Sequence, residues 1–513
     1  MLNSQLIWAA AVCLFSVVWL VVLLRRGPHR ALGIAVVLTF LMPVWVKMPI
    51  LGQDISCRTA IAVVAMVGFC VHRDGKILTP LTLLDLCMVM VCVLDGVSDV
   101  VVDGWSWATP VKAYGQWILP YVAGRFAMRN SDDLKSLAPW VVGVLVALSL
   151  CGLLESVSGV NPIEFVFGNR PVDGFTRNAS RLGLKRAFGN TMHPMFFGIL
   201  LLVLIPWCWA LIRLSISWSW RATGVAASLT ATGGICSTVS RGPVFALVIA
   251  LLVMVALRLK PFRWPMAIVT ITAIVVLAVF PTQTLNLLEV AVHEEDRKTL
   301  VEVDGQAAEY SSAKSRLLMF SAYGDALRHA GLTGYGSKKT TGFPPNIPYL
   351  QNTRHTVDRL RNVDNAYVLF TLRFGYLGLF AFILLLLSAI FTAAKVSSDT
   401  DLKNLLAAIC GSLVGLAAVL LSVWFCYDFG FTVIWTMGIL SGNVILPDWT
   451  ISNPMHVNGK ARRDFLRHPD VRNFSANLWP CRNNLANSLT GGWNTGSCRK
   501  GSTAKNSSAR IDS

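Results

Sequence analysis

Apolar residues along this chain come in long blocks separated by polar connections. The blocks fall at about 5–24, 31–51, 58–71, 78–97, 107–124, 137–156, 192–212, 219–237, 242–257, 264–281, 374–394, 404–425 and 428–446. Most have the length of roughly 17–25 residues that carries an α-helix across the hydrocarbon core of a bilayer. The pattern predicts an all-α polytopic membrane protein with about 12–13 transmembrane helices. The lower number allows for the short block at 58–71 and for Asp85, Asp95 and Lys112, which interrupt the blocks at 78–97 and 107–124. The first block follows a very short N-terminus without a small-residue cleavage motif, so it reads as a membrane helix and not as a removable signal peptide.

The connections alternate in charge. Arg25, Arg26 and Arg30 follow the first block, and Arg73 and Lys76 the third. Arg125, Arg129 and Lys135 follow the fifth, Arg213 and Arg221 the seventh, Arg258, Lys260 and Arg263 the ninth, and Lys395 and Lys403 the eleventh. Positive charge is retained on the cytoplasmic side, which puts these connections in the cytoplasm, the N-terminus outside and the C-terminus inside. Two of the opposite, extracytoplasmic connections are long, at about 157–191 and about 283–372. The second is far longer than a connector needs and is expected to have structure and function of its own. The sequence therefore divides into a polytopic membrane domain, 1–446, and a tail, 447–513. The tail holds ten Lys/Arg against four Asp/Glu and no long apolar run. It is expected to be mostly disordered, in the cytoplasm and in reach of anionic headgroups.

Composition agrees with this class. Hydrophobic residues make up 54% of the 513 and charged residues only 14%, with a mean hydropathy of +0.56. A net charge of +17 would suggest nucleic acid in a soluble protein. Here the Lys and Arg sit in the connections and tail, where they fix topology, and no nucleic-acid partner is expected. Most of the twelve cysteines lie inside apolar blocks, where they act as small hydrophobes. The large connection has none, and no spacing suggests zinc.

Candidate chemistry gathers in the extracytoplasmic connections. From Glu289 to Glu309 the large one holds seven acids against Arg297 and Lys298; from Tyr310 to Asp364 it holds eight Lys/Arg against three Asp. The acidic run His293–Asp296 reads as solvated charge, with no ligand geometry for a cation. A basic face beside a membrane suits a phosphorylated headgroup, because guanidinium forks bind phosphate oxygens in pairs. Leu317, Phe320, Tyr323, Leu327 and Ala330 recur at helical spacing and Gly331 stands as a stop. Arg316 lies at the N-terminal end of that predicted helix, where a cation makes sense beside an anion. In the shorter connection, Arg181, Lys185 and Arg186 cluster just before a helix start at His193-Pro194. Ser240-Arg241-Gly242-Pro243 forms a minimal turn between two blocks, a costly place for Arg unless it is paired or wet.

These stretches carry a resemblance. SRGPVFALVIALLV resembles the Ser-Arg-Gly turn of the O-antigen ligase and Wzy-type polysaccharide polymerase family. KRAFGNTMHPMFFG is similar to a stretch of its exopolysaccharide polymerase members, and SRLLMFSAYGDALRHAGLTGYGS to the family's loop helix with the Gly-x-Gly turn that follows. VDNAYVLFTLRFGYLGLF resembles the segment by which the chain returns to the membrane, and ILPYVAGR an earlier family segment. Together the matches run over residues 114–395 or so, each weak alone and fairly specific in this order.

The resemblance implies a metal-independent, cofactor-free, inverting glycosyl transfer from an undecaprenyl-pyrophosphate-linked oligosaccharide, in the bacterial cytoplasmic (inner) membrane. It implies that Arg186, Arg241 and Arg316 clamp the pyrophosphate, with Lys185, Arg361 and Asn365 contributing to binding. Polysaccharide export and chain-length proteins are further partners it suggests. A base must take the acceptor hydroxyl's proton. Ligases of the family have His directly before the Asn of the return segment. Here that residue is Asp364, which argues for a polymerase and makes Asp364 the expected base, with His193 and His355 as alternatives. Asp364 could instead orient an arginine. Three other functions stay open: ligase transfer to an acceptor, a flippase or transporter of lipid-linked sugar, and a metal-dependent transferase using Asp95, Asp99 and Asp103. No internal repeat of the kind transporters show is present.

Overall fold

Where residues are described, the apolar blocks are largely helical, except that the 31–51 block ends in a strand, Lys47–Ile50, and the 404–425 block leaves the helix after Val419. The structure is a computed structural model and describes residues 28–50, 53–71, 81–128, 131–172, 180–181, 183–214, 217–259, 299–303, 306–310, 319–320, 322–341, 345–350, 363–396 and 403–444, with a few single positions besides. Most of the predicted helices at 5–24 and 264–281, and all of Arg316, His355, Arg361, the run His293–Asp296 and the tail, lie outside the described residues.

In chain order the helices are α1 (Pro28–Leu38), α2 (Cys57–Val71), α3 (Leu83–Asp103), α4 (Ala108–Ala113), α5 (Leu119–Ala127), α6 (Ser131–Ser158), α7 (Pro162–Phe167), α8 (Pro194–Leu204), α9 (Trp207–Leu214), α10 (Trp218–Ser237) and α11 (Arg241–Arg258). After the large connection, with its short helices α12 (Gly324–Arg328) and α13 (Gly336–Thr340), come α14 (Ala366–Val396), α15 (Lys403–Val419) and α16 (Tyr427–Val444). Among the described residues, four stretches are long and apolar enough to cross a membrane: Asp133–Ser158, Pro194–Arg213, Arg241–Arg258 and Ala366–Lys395. The protein is an all-α membrane protein; its described strands are three two-stranded antiparallel hairpins.

The helices pack into one apolar core, and glycines set the closest contacts. Gly124 of α5 lies against the Trp435 carbonyl of α16, and Gly411 and Gly415 of α15 lie against the Ala250 and Ala246 carbonyls of α11. Small residues at such crossings let helix backbones approach, as is usual where lipid removes the hydrophobic drive between helices. A second, smaller core that includes Met319, Tyr323, Ile347, Leu350, Val363 and Leu372 lies beneath the large connection. The acid at the start of the 78–97 block is a structural one. Asp85 closes a capping box with Thr82, accepts from Tyr121 (2.7 Å) and Ser441 (2.9 Å), and pairs with Arg125.

Three local expectations differ from the structure. The return helix begins at Ala366, eight residues before the apolar block, because Asn365 caps it and Arg373 is carried inside it. The predicted helix through Ala330 is interrupted at Tyr323 and ends at Arg328, with Gly331 beyond it at φ 62°. The acidic half of the large connection is not wholly a charge run. It includes a hairpin, Thr299–Val303 paired with Gln306–Tyr310.

Candidate functional site

Ser237 to Arg241 make the turn from α10 into α11. Val239 sits at φ 45°, a conformation that a β-branched residue adopts only under constraint. That twist buries Ser240, the residue at the helix N-cap. Its hydroxyl gives no cap to the first turn of α11. Instead it donates to the Thr238 carbonyl at 3.1 Å and accepts from an Arg186 guanidinium nitrogen at 2.8 Å. Arg186 Nε donates to the Thr238 carbonyl at 3.4 Å, and the neighbouring Ala187 amide to the Ser237 carbonyl at 3.0 Å. Arg186 and Arg241 therefore flank the start of one helix, although they come from different connections. Burial, and then the nearby Arg181, lower the Arg186 pKa to about 10, which leaves it a cation at neutral pH. Among the described residues it pairs with no carboxylate.

A buried ionic cluster holds the segment from Arg186 to His193. Glu155 of α6 accepts from the Phe188 and Gly189 amides, both at 2.9 Å, and pairs with Arg170 at 3.1 Å. Arg170 also pairs with Glu164 at 2.5 Å, donates to the Thr191 carbonyl at 3.3 Å and lies 4.2 Å from the centre of the Phe188 ring. Gly189, at φ 54°, passes so close to the Phe197 ring that a side chain would collide with it. Further along, the Met192 amide donates to Asp428 at 2.7 Å.

His193 caps α8, its Nδ1 accepting from the Met195 amide at 3.2 Å. Burial, and then the charge of Arg186, push its pKa down to about 4, so the ring is neutral near pH 7. With Nδ1 accepting, the proton of that neutral ring is on Nε2, where it can be donated. Lys185 donates from Nζ to the Gly159 carbonyl at 2.5 Å.

The large connection closes on the same area. Asn365 caps α14, its side-chain oxygen accepting from the Tyr367 and Val368 amides at 2.9 and 3.1 Å. Asp364, just before it, is half-buried, and its charge adds to burial in raising the Tyr323 phenol pKa. The Ala366 amide donates to the Leu420 carbonyl at 2.9 Å, fastening α14 to the 420–426 link between α15 and α16. From that link Trp424 reaches Phe196, ring centres 5.2 Å apart, and Phe196 is 5.3 Å from the His193 ring. A chain of contacts thus runs from His193 through Phe196 to Trp424, which packs against the second core, with Arg186 and Ser240 bonded to each other nearby in the same connection and turn.

The turn after α12 is docked on a break in α14. Gly375 adopts φ 68° there. The Tyr376 and Leu377 amides donate to the Gly331 and Leu332 carbonyls, and the Tyr335 amide to the Leu372 carbonyl. The backbones are so close that neither Gly334 nor Gly375 has room for a Cβ. Sequence reasoning missed Ser240 as a partner of Arg186, the Glu155–Arg170 cluster and Trp424. Trp424 lies inside the apolar block at 404–425, where the sequence offers no signal that sets it apart. Among the described residues no group of three His, Cys, Asp or Glu side chains could hold a metal ion.

Residues 226–383 match the family model described as O-antigen ligase. The matched stretch includes Arg241, Arg316, Arg361, Asp364 and Asn365; Lys185, Arg186 and His193 precede it. No curated protein matches the chain.

Proposed function

Because residues 226–383 carry the O-antigen ligase family's domain, we propose that this membrane protein is a glycosyltransferase that polymerises oligosaccharide units delivered on undecaprenyl pyrophosphate. The observation that carries the reading is Arg186, bonded to a carbonyl and a hydroxyl at the helix start that also bears Arg241. A helix N-terminus favours anions through its dipole and amides, and guanidinium forks suit phosphate oxygens. In the proposed step an acceptor hydroxyl attacks the anomeric carbon of the donor. The carbon–oxygen bond to the pyrophosphate breaks, its electron pair leaves with the lipid pyrophosphate, and the configuration inverts. Arg186 and Arg241, with Arg316, stabilise the charge that develops on the leaving group. Lys185 and Arg361 add to the positive field, and Asn365 sets the start of the helix behind Asp364. Asp364 takes the hydroxyl proton. His193 is better suited to donate from Nε2 to a pyrophosphate oxygen than to act as base.

The alternating Lys and Arg support an orientation with these connections outside the cytoplasmic membrane, the N-terminus outside and the tail inside. Ligase transfer to a separate acceptor is the second reading, favoured by the description of the matched family. One experiment tests both. Purified protein incubated with a lipid-linked repeat unit alone should give a product ladder, and Arg186→Ala and Arg241→Ala should each lower its yield by about 10²–10³-fold. A single transfer seen only with an added acceptor would make it a ligase. Full activity in both variants would end the clamp reading.

A further inference from the structure

A partly enclosed cavity of about 80 Å³ has Phe425, the neighbour of Trp424 in the 420–426 link, in its wall. Its polar lining is Asp95 of α3, Lys112 of α4, Gln116, Ser337 of α13 with Thr341 just after it, and Arg373 of α14. Two departures from regular helix border it. Gln116 and Trp117 lie in a π-helical turn, Tyr114–Ile118, between α4 and α5, and Arg373 immediately precedes the Phe374–Gly375 break in α14. Such turns recur at functional sites, and irregular backbone at membrane depth is tolerated where it lines a cavity.

The charges of this cavity are only half settled. Lys112 at the rim pairs with Asp99 at 3.2 Å, and Asp99 also accepts from the Ser337 amide and hydroxyl, both at 2.6 Å. Asp95 and Arg373 remain. Asp95, 2% exposed, accepts from the Trp117 indole at 2.8 Å. Arg373 donates from Nε to Thr340 at 3.0 Å. The two charges line one cavity yet form no ion pair with each other among the described residues. Each is held back by its own neutral partner.

An acid and a guanidinium kept apart in a low-dielectric cavity favour a ligand that presents a donor to one and an acceptor to the other. An anion would have to face Asp95, and a cation would have to face Arg373 and Lys112. A neutral group that both donates and accepts meets neither objection, and a hydroxyl is such a group. The space is about half of the ~150 Å³ cavity that holds a benzene-sized ligand, so it admits the edge of a ring and not a whole one.

We propose that the cavity between Asp95 and Arg373 binds the hydroxylated edge of a neutral sugar, a glycan-recognition site separate from the anion site at Arg186 and Arg241. The inference rests on the glycosyltransferase reading for the identity of its ligand as a saccharide. It assigns to Asp95, Gln116 and Arg373 a part in choosing which glycan is handled.

The test is saturation-transfer NMR on the purified full chain in detergent, with free D-glucose, D-galactose, D-mannose and L-rhamnose as probes and inorganic pyrophosphate as the second ligand. At least one sugar should show transfer, the signal should fall fivefold or more in Asp95→Asn and in Arg373→Gln, and pyrophosphate should not displace it. Should either variant melt well below the parent, Gln116→Ala carries the comparison. Absence of transfer to all four sugars, survival of the signal in these variants, or displacement by pyrophosphate would each overturn the proposal. Phosphorus NMR of pyrophosphate with the parent and Arg186→Ala reads the other site. Pyrophosphate binding that needs Arg186 while no sugar binds defeats the sugar site alone. Sugar binding that needs Asp95 while pyrophosphate does not bind defeats the anion site alone.

Discussion

Arg170 and Arg186 come from the same connection, and their surroundings are opposite. Arg170 is 1% exposed and meets two carboxylates, a carbonyl and an aromatic face. Arg186, half-buried, meets a carbonyl and a hydroxyl. The first charge is neutralised where it stands, and its field is spent on holding the chain. The second keeps its charge with neutral partners, so its field remains directed at whatever lies before α11. One arginine builds the connection and the other gives it something to do.

The contrast can be broken in order of expected effect. Arg170→Met leaves Glu155 and Glu164 buried without their cation, which should cost about 3–5 kcal/mol. A large fall in melting temperature is expected, with transfer lost along with the fold; parental melting behaviour would show that the cluster is not what holds the segment. Arg186→Ala should do the reverse, lowering transfer by about 10²–10³-fold with the melting temperature little changed. Equal losses of stability in the two variants would erase the distinction. Arg186→Lys should fall between, because it keeps the charge and loses the fork.

His193 gives a pH test of the same segment. Its folded pKa, about 4, lies below the ordinary 6.5. The unfolded chain therefore binds more protons in that window, and stability should decline as pH falls from 6.5 toward 4. His193→Asn can still cap α8 and has nothing to titrate, so its melting temperature should fall less between pH 7 and pH 5. An identical fall in both proteins would place the pH sensitivity elsewhere. The smallest effect is expected from Lys185→Ala. Its Nζ bond goes to the Gly159 carbonyl, so it acts on substrate only through the local field. A few-fold rise in KM that fades at high salt is the expected result, and a large loss of kcat would give Lys185 a closer role.

Much of the fold was legible in the sequence because a bilayer makes length and polarity strict rules. The described blocks are largely helical, and of the charges that broke the pattern Asp85 and Asp95 are buried in networks while Lys112 pairs with Asp99 from an exposed position. Their partners were not legible. Asp99 meets Ser337 and Arg125 meets Ser441, pairings separated by hundreds of residues and set by helix packing alone. The hairpin at 299–310 was legible and overlooked. Val303 and Gln306 are paired with Asp304-Gly305 between them, a dipeptide that favours two-residue hairpin turns. For the site, the Arg186, Arg241 and Asp364 segments could be picked out by misplaced charge and by resemblance. That Ser240 joins the first two depends on the Val239 backbone twist, which no spacing of residues announces.

The docking of the Gly331–Tyr335 turn on the broken helix at Gly375 has a consequence for biogenesis. The turn emerges from the ribosome before the helix that receives it, and its backbone bonds go to residues not yet made. The large connection therefore cannot reach its final form until α14 has been inserted, and the surface beside Asp364 must wait longer, for the link that carries Trp424. Synthesis order thus acts as an interlock. A chain stopped anywhere short of that link lacks the contacts that run from His193 through Phe196 to Trp424, so this part of the fold closes only when the last helices are made.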